Sequence, residues 1–161
     1  MILTGTFERA IDEKLRVSVP KSLREALLCK SPPSSAKIPS IKQHGVVYVA
    51  PGTDGSLSIY TEEAFSSLAE RLAGVSPTEQ HVRAFTRLFY ARAQRAELDR
   101  QGRIRISTEL AELAGLGREA VMIGVQDHLE LWSVERWKRY LEERKARYDE
   151  IAEAAFGMKT T

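Results

Sequence analysis

The side-chain pair with the clearest chemical meaning is an aspartate followed four residues later by an arginine. It occurs twice, as Asp12 with Arg16 and as Asp99 with Arg103. A short carboxylate can accept hydrogen bonds from the backbone of its own turn and can pair with the guanidinium that follows it. An arginine presents a planar fork that grips phosphate, or the O6/N7 edge of guanine, through two hydrogen bonds. The repeated pair therefore indicates a turn-stabilising device, a nucleic-acid contact, or both.

Other residues that could carry out catalysis or bind a metal are isolated in the sequence. His44, His81 and His128 have no second histidine or cysteine at ligand spacing, so we expect no metal site and no cofactor. The single cysteine, Cys29, excludes an internal disulfide framework. No nucleophile elbow or phosphate-binding glycine loop occurs, and Gly115-Leu-Gly117 is better explained as a helix-ending turn. The sequence therefore predicts a protein that is not an enzyme.

Length and composition describe a folded protein of one domain or two very small ones. The chain has 161 residues, 43% of them hydrophobic, with 24 basic against 22 acidic side chains. Its longest apolar runs, 46–50 and 120–125, fall far short of the ~20 residues that a membrane span requires. Glu8 interrupts an N-terminus that lacks a basic and apolar leader. We therefore expect no membrane association, no signal peptide and a cytoplasmic location.

The chain contains an internal repeat. Residues 12–27 align with 99–114 at an offset of 87, and residues 57–60 align with 129–132 at an offset of 72. The first copy must therefore hold about 15 additional residues, and segment 29–45, with three of the six prolines and four serines, has the composition of an inserted loop. Chance similarity of short amphipathic segments is the alternative, but the agreement between the two placements favours duplication.

Hydrophobic periodicity predicts the same elements in each copy: β-hairpin, short helix, β-hairpin and longer helix. Residues 16–19 and 103–106 alternate polar and apolar, which is typical of strands with one buried face. We expect segments 4–11 and 92–98 to pair with them as local antiparallel hairpins. Gly102 suits a positive φ at its turn, whereas Leu15 does not. The other predicted elements are short helices over 21–28 and 108–114 and second hairpins over 46–60 and 121–132.

Three longer helices are expected. Ser76-Pro77-Thr78-Glu79 has the pattern of a capping box, which predicts a helix from there to about residue 91. Apolar residues at helical spacing predict a second helix over 61–72 and a last one from 134 to about 155.

Charge concentrates around the second aspartate–arginine pair. Seven arginines lie between residues 83 and 105 against Glu97 and Asp99. If the apolar side chains of the two alternating strands face the core, then Arg16, Arg103 and Arg105 face outward. Such a basic stretch is typical of a nucleic-acid surface or of an ordinary solvated face.

These features together resemble the MraZ family, a duplicated member of the AbrB/SpoVT-like DNA-binding superfamily. The matching residues are Gly5-Thr-Phe7, the two aspartate-to-arginine motifs, Val19-Pro20 followed by Leu23-Arg24, and Leu129-Glu-Leu-Trp132. Leu15 departs from the family pattern by replacing a glycine, and segment 29–45 is longer than the family leads us to expect.

The resemblance implies an α+β fold, a pseudo-twofold swapped-hairpin β-barrel made of two internal AbrB-like repeats and decorated by helices. The expected divisions are a first repeat over 1–75 with the insertion 29–45, a connecting helix over 76–92, a second repeat over 93–137, and a C-terminal helix and tail over 138–161.

The resemblance also implies a function. Family members form homo-oligomeric rings and regulate transcription of the division and cell-wall gene cluster, usually as repressors that bind short direct repeats in double-stranded DNA upstream of their own operon. Such a protein would be associated with the nucleoid. The family's DNA-contacting residues correspond here to Arg16 and Arg103, with Lys14 beside the first. Charge and strand geometry add Arg9, Arg100 and Arg105, while Asp12, Asp99 and Gly102 are expected to shape the hairpins.

Two other functions are compatible with the sequence. The duplicated fold could serve assembly alone, as a ring-forming interaction protein without specific DNA binding. An AbrB-type antitoxin would combine operator-binding hairpins with a toxin-binding tail. The regular apolar spacing of the tail favours a folded helix over the disordered tail that such antitoxins tend to have.

Overall fold

The computed structural model describes residues 2–28 and 45–157, which form a mixed α+β protein. The eight strands, β1 to β8 in chain order, are Thr6–Ala10, Arg16–Ser18, Val46–Pro51, Leu57–Thr61, Gln94–Glu97, Arg103–Arg105, Glu119–Val125 and His128–Ser133. The helices α1 to α6 are Lys21–Leu28, Glu62–Ala73, Gln80–Arg92, Thr108–Leu113, Val134–Arg144 and Tyr148–Gly157, with a 3-10 turn at Lys145–Arg147. Nearly all of the expected insertion, including Cys29 and His44, lies outside the described residues.

The strand order is symmetric between the two copies. One antiparallel sheet has the order β1-β7-β8-β4-β3-β5, and a second consists of β2 and β6. Exchanging β1 with β5, β3 with β7, β4 with β8 and β2 with β6 leaves both orders unchanged. A pseudo-twofold axis therefore passes between β4 and β8 and between β2 and β6. The expected closed barrel does not appear, because pairing among the described strands stops at β1 and β5, which form the edges of the larger sheet.

The expectation that the first two strands of each copy pair locally was wrong. β1 pairs with β7 and β5 with β3, while β2 pairs with β6, so each copy donates strands to the other. Only the closing turn of the local hairpin remains, with a single bridge between Ile11 and Val17. Pairing β2 with β6 places Val17 opposite Ile104, and both side chains are buried. Polar–apolar alternation identifies a buried face but not the neighbouring strand, so periodicity alone could not reveal the exchange, which only the resemblance to a swapped-hairpin fold implied.

One hydrophobic core is shared by the two copies. Its cluster takes equivalent residues from both, such as Leu23 of α1 and Leu110 of α4, which are both fully buried. Burying these side chains removes apolar surface from water, and the two halves depend on each other for that burial.

The short helices and second hairpins confirm the sequence expectations. In α4, Ser107 caps the N-terminus by accepting from the backbone N–H of Leu110, and Gly115 ends the helix with a φ of +61°. In α2, Thr61 accepts from the backbone N–H of Ala64 at 3.1 Å.

Two longer helices differ from expectation. α3 begins at Gln80, because Ser76 Oγ bonds Thr78 Oγ1 at 2.7 Å within a turn and does not cap a helix. The last helix is interrupted between α5 and α6 by the 3-10 turn. Apolar residues of its stripe, including Leu141, Tyr148 and Ile151, are exposed, so no core contact requires one continuous helix. Within residues 2–28 and 45–157, the helices are too short to span a bilayer.

Candidate nucleic-acid interface

The turn between β1 and β2 is organised by Asp12. Its Oδ1 accepts from the backbone N–H groups of Lys14, at 3.0 Å, and Arg16, at 2.9 Å. Its Oδ2 accepts from Arg16 Nε at 2.6 Å. The backbone N–H of Leu15 donates to the carbonyl of Asp12 at 3.0 Å. One carboxylate thus holds both the turn and the arginine that follows it.

The turn between β5 and β6 has the same construction around Asp99. Its Oδ1 accepts from the backbone N–H groups of Gln101 and Arg103, each at 2.9 Å, and its Oδ2 accepts from Arg103 Nε at 2.9 Å. The backbone N–H of Gly102 donates to the carbonyl of Asp99 at 3.0 Å. We call these two segments, 12–16 and 99–103, the first and second Asp–Arg turns.

The fourth position of both turns has a left-handed backbone. Gly102 has a φ of +75°, which glycine adopts freely. Leu15 has a φ of +59°, although this conformation costs a residue with a Cβ about 1 kcal/mol. Its half-buried side chain packs against the core, which offsets that cost. The hydrogen bonds of the turn therefore set the backbone, whichever residue type stands there.

The pairing of β2 with β6 brings the two Asp–Arg turns together. Arg16 lies opposite Arg105, and Ser18 lies opposite Arg103. Arg103 Nη1 is 3.7 Å from Asp12 Oδ2, so an ion pair joins the two turns across the pseudo-twofold axis. One further hydrogen bond links each turn to the other copy. Ile106 N–H donates to the Leu15 carbonyl at 2.8 Å, and Val19 N–H donates to the Gly102 carbonyl at 2.9 Å.

Both aspartates are held in the charged form. The backbone N–H of Arg16 is the main cause that lowers the pKa of Asp12, with help from the Arg16 side chain. Desolvation raises the pKa of Asp99, but hydrogen bonds from Arg103 and Gln101 outweigh it and leave the pKa below its usual value. The Nε atoms of both arginines therefore keep an anionic partner at neutral pH.

The two turn arginines remain accessible. The Arg16 side chain is 34% exposed and that of Arg103 is 26% exposed. Their Nε atoms are engaged by aspartates, while the described residues contain no hydrogen-bond acceptor for the Nη nitrogens of Arg16. An external phosphate or base edge can use the nitrogens that remain.

Three other cations expected at the interface lie close to it. Lys14 is on the first turn, Arg100 is on the second, and Arg105 is opposite Arg16; all three are exposed. None of them forms an ion pair with a described residue. Arg9 is placed differently, because its Nε donates to the Ser18 carbonyl at 3.1 Å and its guanidinium lies 5.4 Å from the centre of the Phe7 ring. It braces the end of β2 beside the turns.

The basic patch is narrower than the seven arginines of the sequence indicate. Arg92 pairs with Glu109 at 3.2 Å, and Arg95 pairs with Glu97 at 2.8 Å. Arg83 donates to the backbone carbonyls of residues 77 and 78 at the start of α3. Two of the seven charges are therefore neutralised away from the turns, while Arg100 and Arg105 beside the turns have no ion-pair partner among the described residues.

One cation near the second turn was not identified as a site residue from the sequence. Arg24, on α1 of the first copy, extends across Gly102 of the second copy. In the sequence, Arg24 stands out only as part of the motif Val19-Pro20 followed by Leu23-Arg24. Its contact with Gly102 depends on the exchange of strands between copies, which that motif does not indicate. No group of histidines, cysteines and carboxylates that could hold a metal occurs among residues 2–28 and 45–157.

Comparison with known proteins gives consistent matches over the whole fold. A family model described as "MraZ protein, putative antitoxin-like" matches twice, at residues 2–88 and 89–159. A protein of Symbiobacterium thermophilum called transcriptional regulator MraZ is 36% identical over 150 residues, covering 92% of this chain and 96% of the relative. Relatives of the same name from Heliobacterium modesticaldum and Thermomicrobium roseum are 37% and 35% identical, each over 92% of this chain and over 93% and 94% of their own lengths.

Proposed function

This chain belongs to the MraZ family of transcriptional regulators, and from that membership we propose that it binds double-stranded DNA sequence-specifically through its two Asp–Arg turns. The observation that carries the proposal is the placement of Arg16 and Arg103 beside one β-ribbon, joined by the ion pair between Arg103 and Asp12. A two-stranded β-ribbon fits the major groove of B-DNA, where arginine can read guanine.

The finer target follows from the family resemblance. We propose that the chain binds short direct repeats upstream of its own division and cell-wall operon, as a repressor, and that it works in the cytoplasm at the nucleoid. One chain offers a small cationic surface with few phosphate contacts. A homo-oligomeric ring multiplies that surface, and several repeats then raise avidity by ~10²–10⁴ when their spacing fits.

The test begins with duplexes selected from a random library by the wild-type chain. Arg16→Ala is expected to weaken binding to a selected duplex by ~1–3 kcal/mol, because a base contact read by two hydrogen bonds is lost. Binding to a scrambled duplex of the same length is expected to weaken much less. Equal losses on both duplexes would reduce Arg16 to a phosphate contact.

Arg147→Ala is a matched control. Arg147 is also an arginine bound to a carboxylate, since its Nε lies 3.1 Å from Glu150 Oε2, but it belongs to the C-terminal segment. The substitution removes the same charge as Arg16→Ala without altering either turn. Binding to both duplexes is therefore expected to stay at the wild-type level. Failure of the wild-type chain to retain any duplex at low salt would overturn the proposal itself.

One observation supports the second candidate, an assembly protein without specific DNA binding. Phe85 and Leu88 are about half exposed on α3, and exposed apolar side chains are typical of association surfaces. Steep weakening of DNA retention as salt rises separates the two functions, because phosphate binding releases counterions and apolar association does not. The antitoxin alternative has less support, since the described tail is helical through Gly157.

A further inference from the structure

Arg24 of the first copy lies across the second Asp–Arg turn. A Cβ atom placed on Gly102 would stand 2.5 Å from both Cδ and Nη1 of Arg24. The guanidinium therefore rests on the bare backbone of the turn, in space that any larger residue at position 102 would take. α1 carries Arg24 into this position because the strands following the two turns pair with each other.

The equivalent helix position in the other half does not hold a cation. Under the repeat, Gly102 corresponds to Leu15, and Arg24 corresponds to Ala111, which is buried. The large Leu15 of the first turn is thus matched with the small Ala111 of α4. At the second turn the sizes are reversed, with the small Gly102 matched with the large Arg24 of α1. Only the second Asp–Arg turn has room for an arginine from the opposite copy.

Arg24 has no anionic partner in the described part of the chain. No described carboxylate lies within ion-pair distance of Arg24, and its buried Nε has no hydrogen-bond acceptor. A guanidinium half withdrawn from water without an anionic partner is costly, and an anion bound beside it would offset its charge.

The turns also differ in their own charges. The first turn has Asp12 and Glu13 against Lys14 and Arg16, a balance of zero. The second has only Asp99 against Arg100 and Arg103, a surplus of one, to which Arg24 adds another. Arg105, opposite Arg16, adds one charge beside the first turn, so the second remains the more positive.

We propose that Arg24 binds a DNA phosphate as a third cation of the second Asp–Arg turn and thereby increases the difference between the two turns in how they hold DNA. This inference rests on the proposed DNA-binding function. A pseudo-twofold ribbon by itself fits a duplex equally well in two orientations. One extra phosphate contact on one side favours a single orientation of the ribbon on the duplex. A single orientation suits a DNA binding site whose own sequence has no twofold symmetry.

Salt titration of a selected duplex tests the phosphate contact. In Arg24→Gln, the slope of log K against log salt is expected to become shallower by about 0.9 for each bound chain, the value for one lost phosphate contact. Lys21→Gln is the control, because Lys21 is exposed on the same helix and its substitution also removes one positive charge. Its slope is expected to equal that of the wild type. Equal slopes for Arg24→Gln and the wild type would overturn the inference.

Ethylation interference on the same duplex tests the orientation. Arg24→Gln is expected to lose sensitivity to ethylated phosphates on one side of each bound element, while Lys21→Gln keeps the wild-type pattern. Loss on both sides, or on neither, would contradict an unequal pair of turns. If the wild-type chain retains no duplex, the proposed function fails; if it binds and Arg24→Gln behaves like it, only the role of Arg24 fails.

Two further variants separate binding from folding. Arg24→Lys keeps the charge and is expected to keep most of the slope of log K against log salt. The unfolding temperature of every variant is measured, so that loss of folding is distinguished from loss of binding. Gly102→Ala is expected to displace Arg24 and make the slope shallower in the wild-type background, but to cause no further change in slope when combined with Arg24→Gln. Additive changes in slope would show that Gly102 does not act through Arg24.

Discussion

At the residue scale, each turn arginine has two tasks that use different parts of its guanidinium. The Nε atoms of Arg16 and Arg103 bind aspartates, at 2.6 and 2.9 Å, and other nitrogens are left for an external acceptor. Lysine has a single ammonium at the end of a flexible chain and cannot reproduce a planar fork held at one edge. The site therefore depends on arginine itself and not only on positive charge.

Arg103→Lys tests this dependence. The variant keeps the charge, so binding to scrambled duplex is expected to stay within about twofold of the wild type, while binding to selected duplex weakens by ~1–3 kcal/mol through loss of the bidentate contact. Fluorescence anisotropy with both duplexes at one salt concentration measures the difference. Retained preference for the selected duplex would mean that Arg103 does not read bases.

Asp99→Asn tests the coupling between the turn and pH. In the wild type the pKa of Asp99 lies below its unfolded value of about 3.9, so its contribution to the free energy of unfolding is complete above that value and is lost as pH falls through the folded-state pKa. The asparagine variant lacks this contribution at pH 7 and is expected to show a flatter loss of stability below pH 4. Urea unfolding midpoints between pH 7 and pH 2.5 give the comparison. Parallel curves for both proteins would contradict the expectation.

At the element scale, the strand pair formed by β2 and β6 matters most for the site. Each strand has only three residues, yet the pair buries Val17 against Ile104 and sets the spacing of the two turns. Strand positions and buried faces were predictable from alternation, and the turns from their aspartates. The partner of each strand was not, since alternation carries no information on which strand lies alongside.

Ile104→Ala tests the importance of this strand pair. Ile104 is 1% exposed, so its truncation leaves a cavity at the pseudo-twofold axis and is expected to lower the free energy of unfolding by about 2–5 kcal/mol. Leu88→Ala is the control, because Leu88 is 57% exposed on α3 and its loss is expected to change stability by less than ~0.5 kcal/mol. Similar unfolding midpoints for the two variants in guanidinium chloride would show that the β2–β6 contact contributes little.

The other strand pair at the pseudo-twofold axis contains a titrating histidine. His128 of β8 lies 2.7 Å from Asp127 and 3.6 Å from Glu130, and its ring packs on Tyr60 of β4. Glu130 is the main cause that raises the pKa of His128, and Asp127 adds to it against desolvation. The charged imidazole therefore stabilises the junction of β4 with β8.

His128→Gln tests this contribution. Because the folded-state pKa is raised, the stabilisation is complete below the unfolded value of about 6.5 and is lost as pH rises through the folded-state pKa. The wild type is expected to lose stability as the pH rises above about 6.5, and the variant is expected to lose less. The unfolding temperatures of both proteins, measured over that rise in pH, test the prediction. An equal decline in both proteins would exclude His128 as the cause of the lost stability.

At the scale of the whole molecule, the two copies form one folding unit. β1 of the first copy pairs with β7 of the second, and β5 of the second copy pairs with β3 of the first. The duplication was visible in the sequence because equivalent core and turn residues kept their types. The break in the last helix and the later start of α3 were not, because both depend on local turns that compete with a helical pattern.

Separating the copies tests this interdependence. Fragments 1–76 and 77–161, divided in the segment between α2 and α3, are each expected to lack cooperative thermal unfolding when alone, since each then exposes core residues that the other copy buries. Mixing them is expected to restore a folded complex, seen as recovered strand and helix signal in circular dichroism. A fragment that unfolds cooperatively by itself would contradict a shared core.

The symmetric strand order also has a consequence for how the β2–β6 ribbon assembles. If the two halves were separate polypeptides, the ribbon that carries both arginines would be a dimer, and its stability would fall with the logarithm of protein concentration. Because one peptide chain joins the halves, the ribbon assembles in a unimolecular reaction and survives any dilution. The covalent link therefore makes formation of the ribbon within each chain independent of expression level.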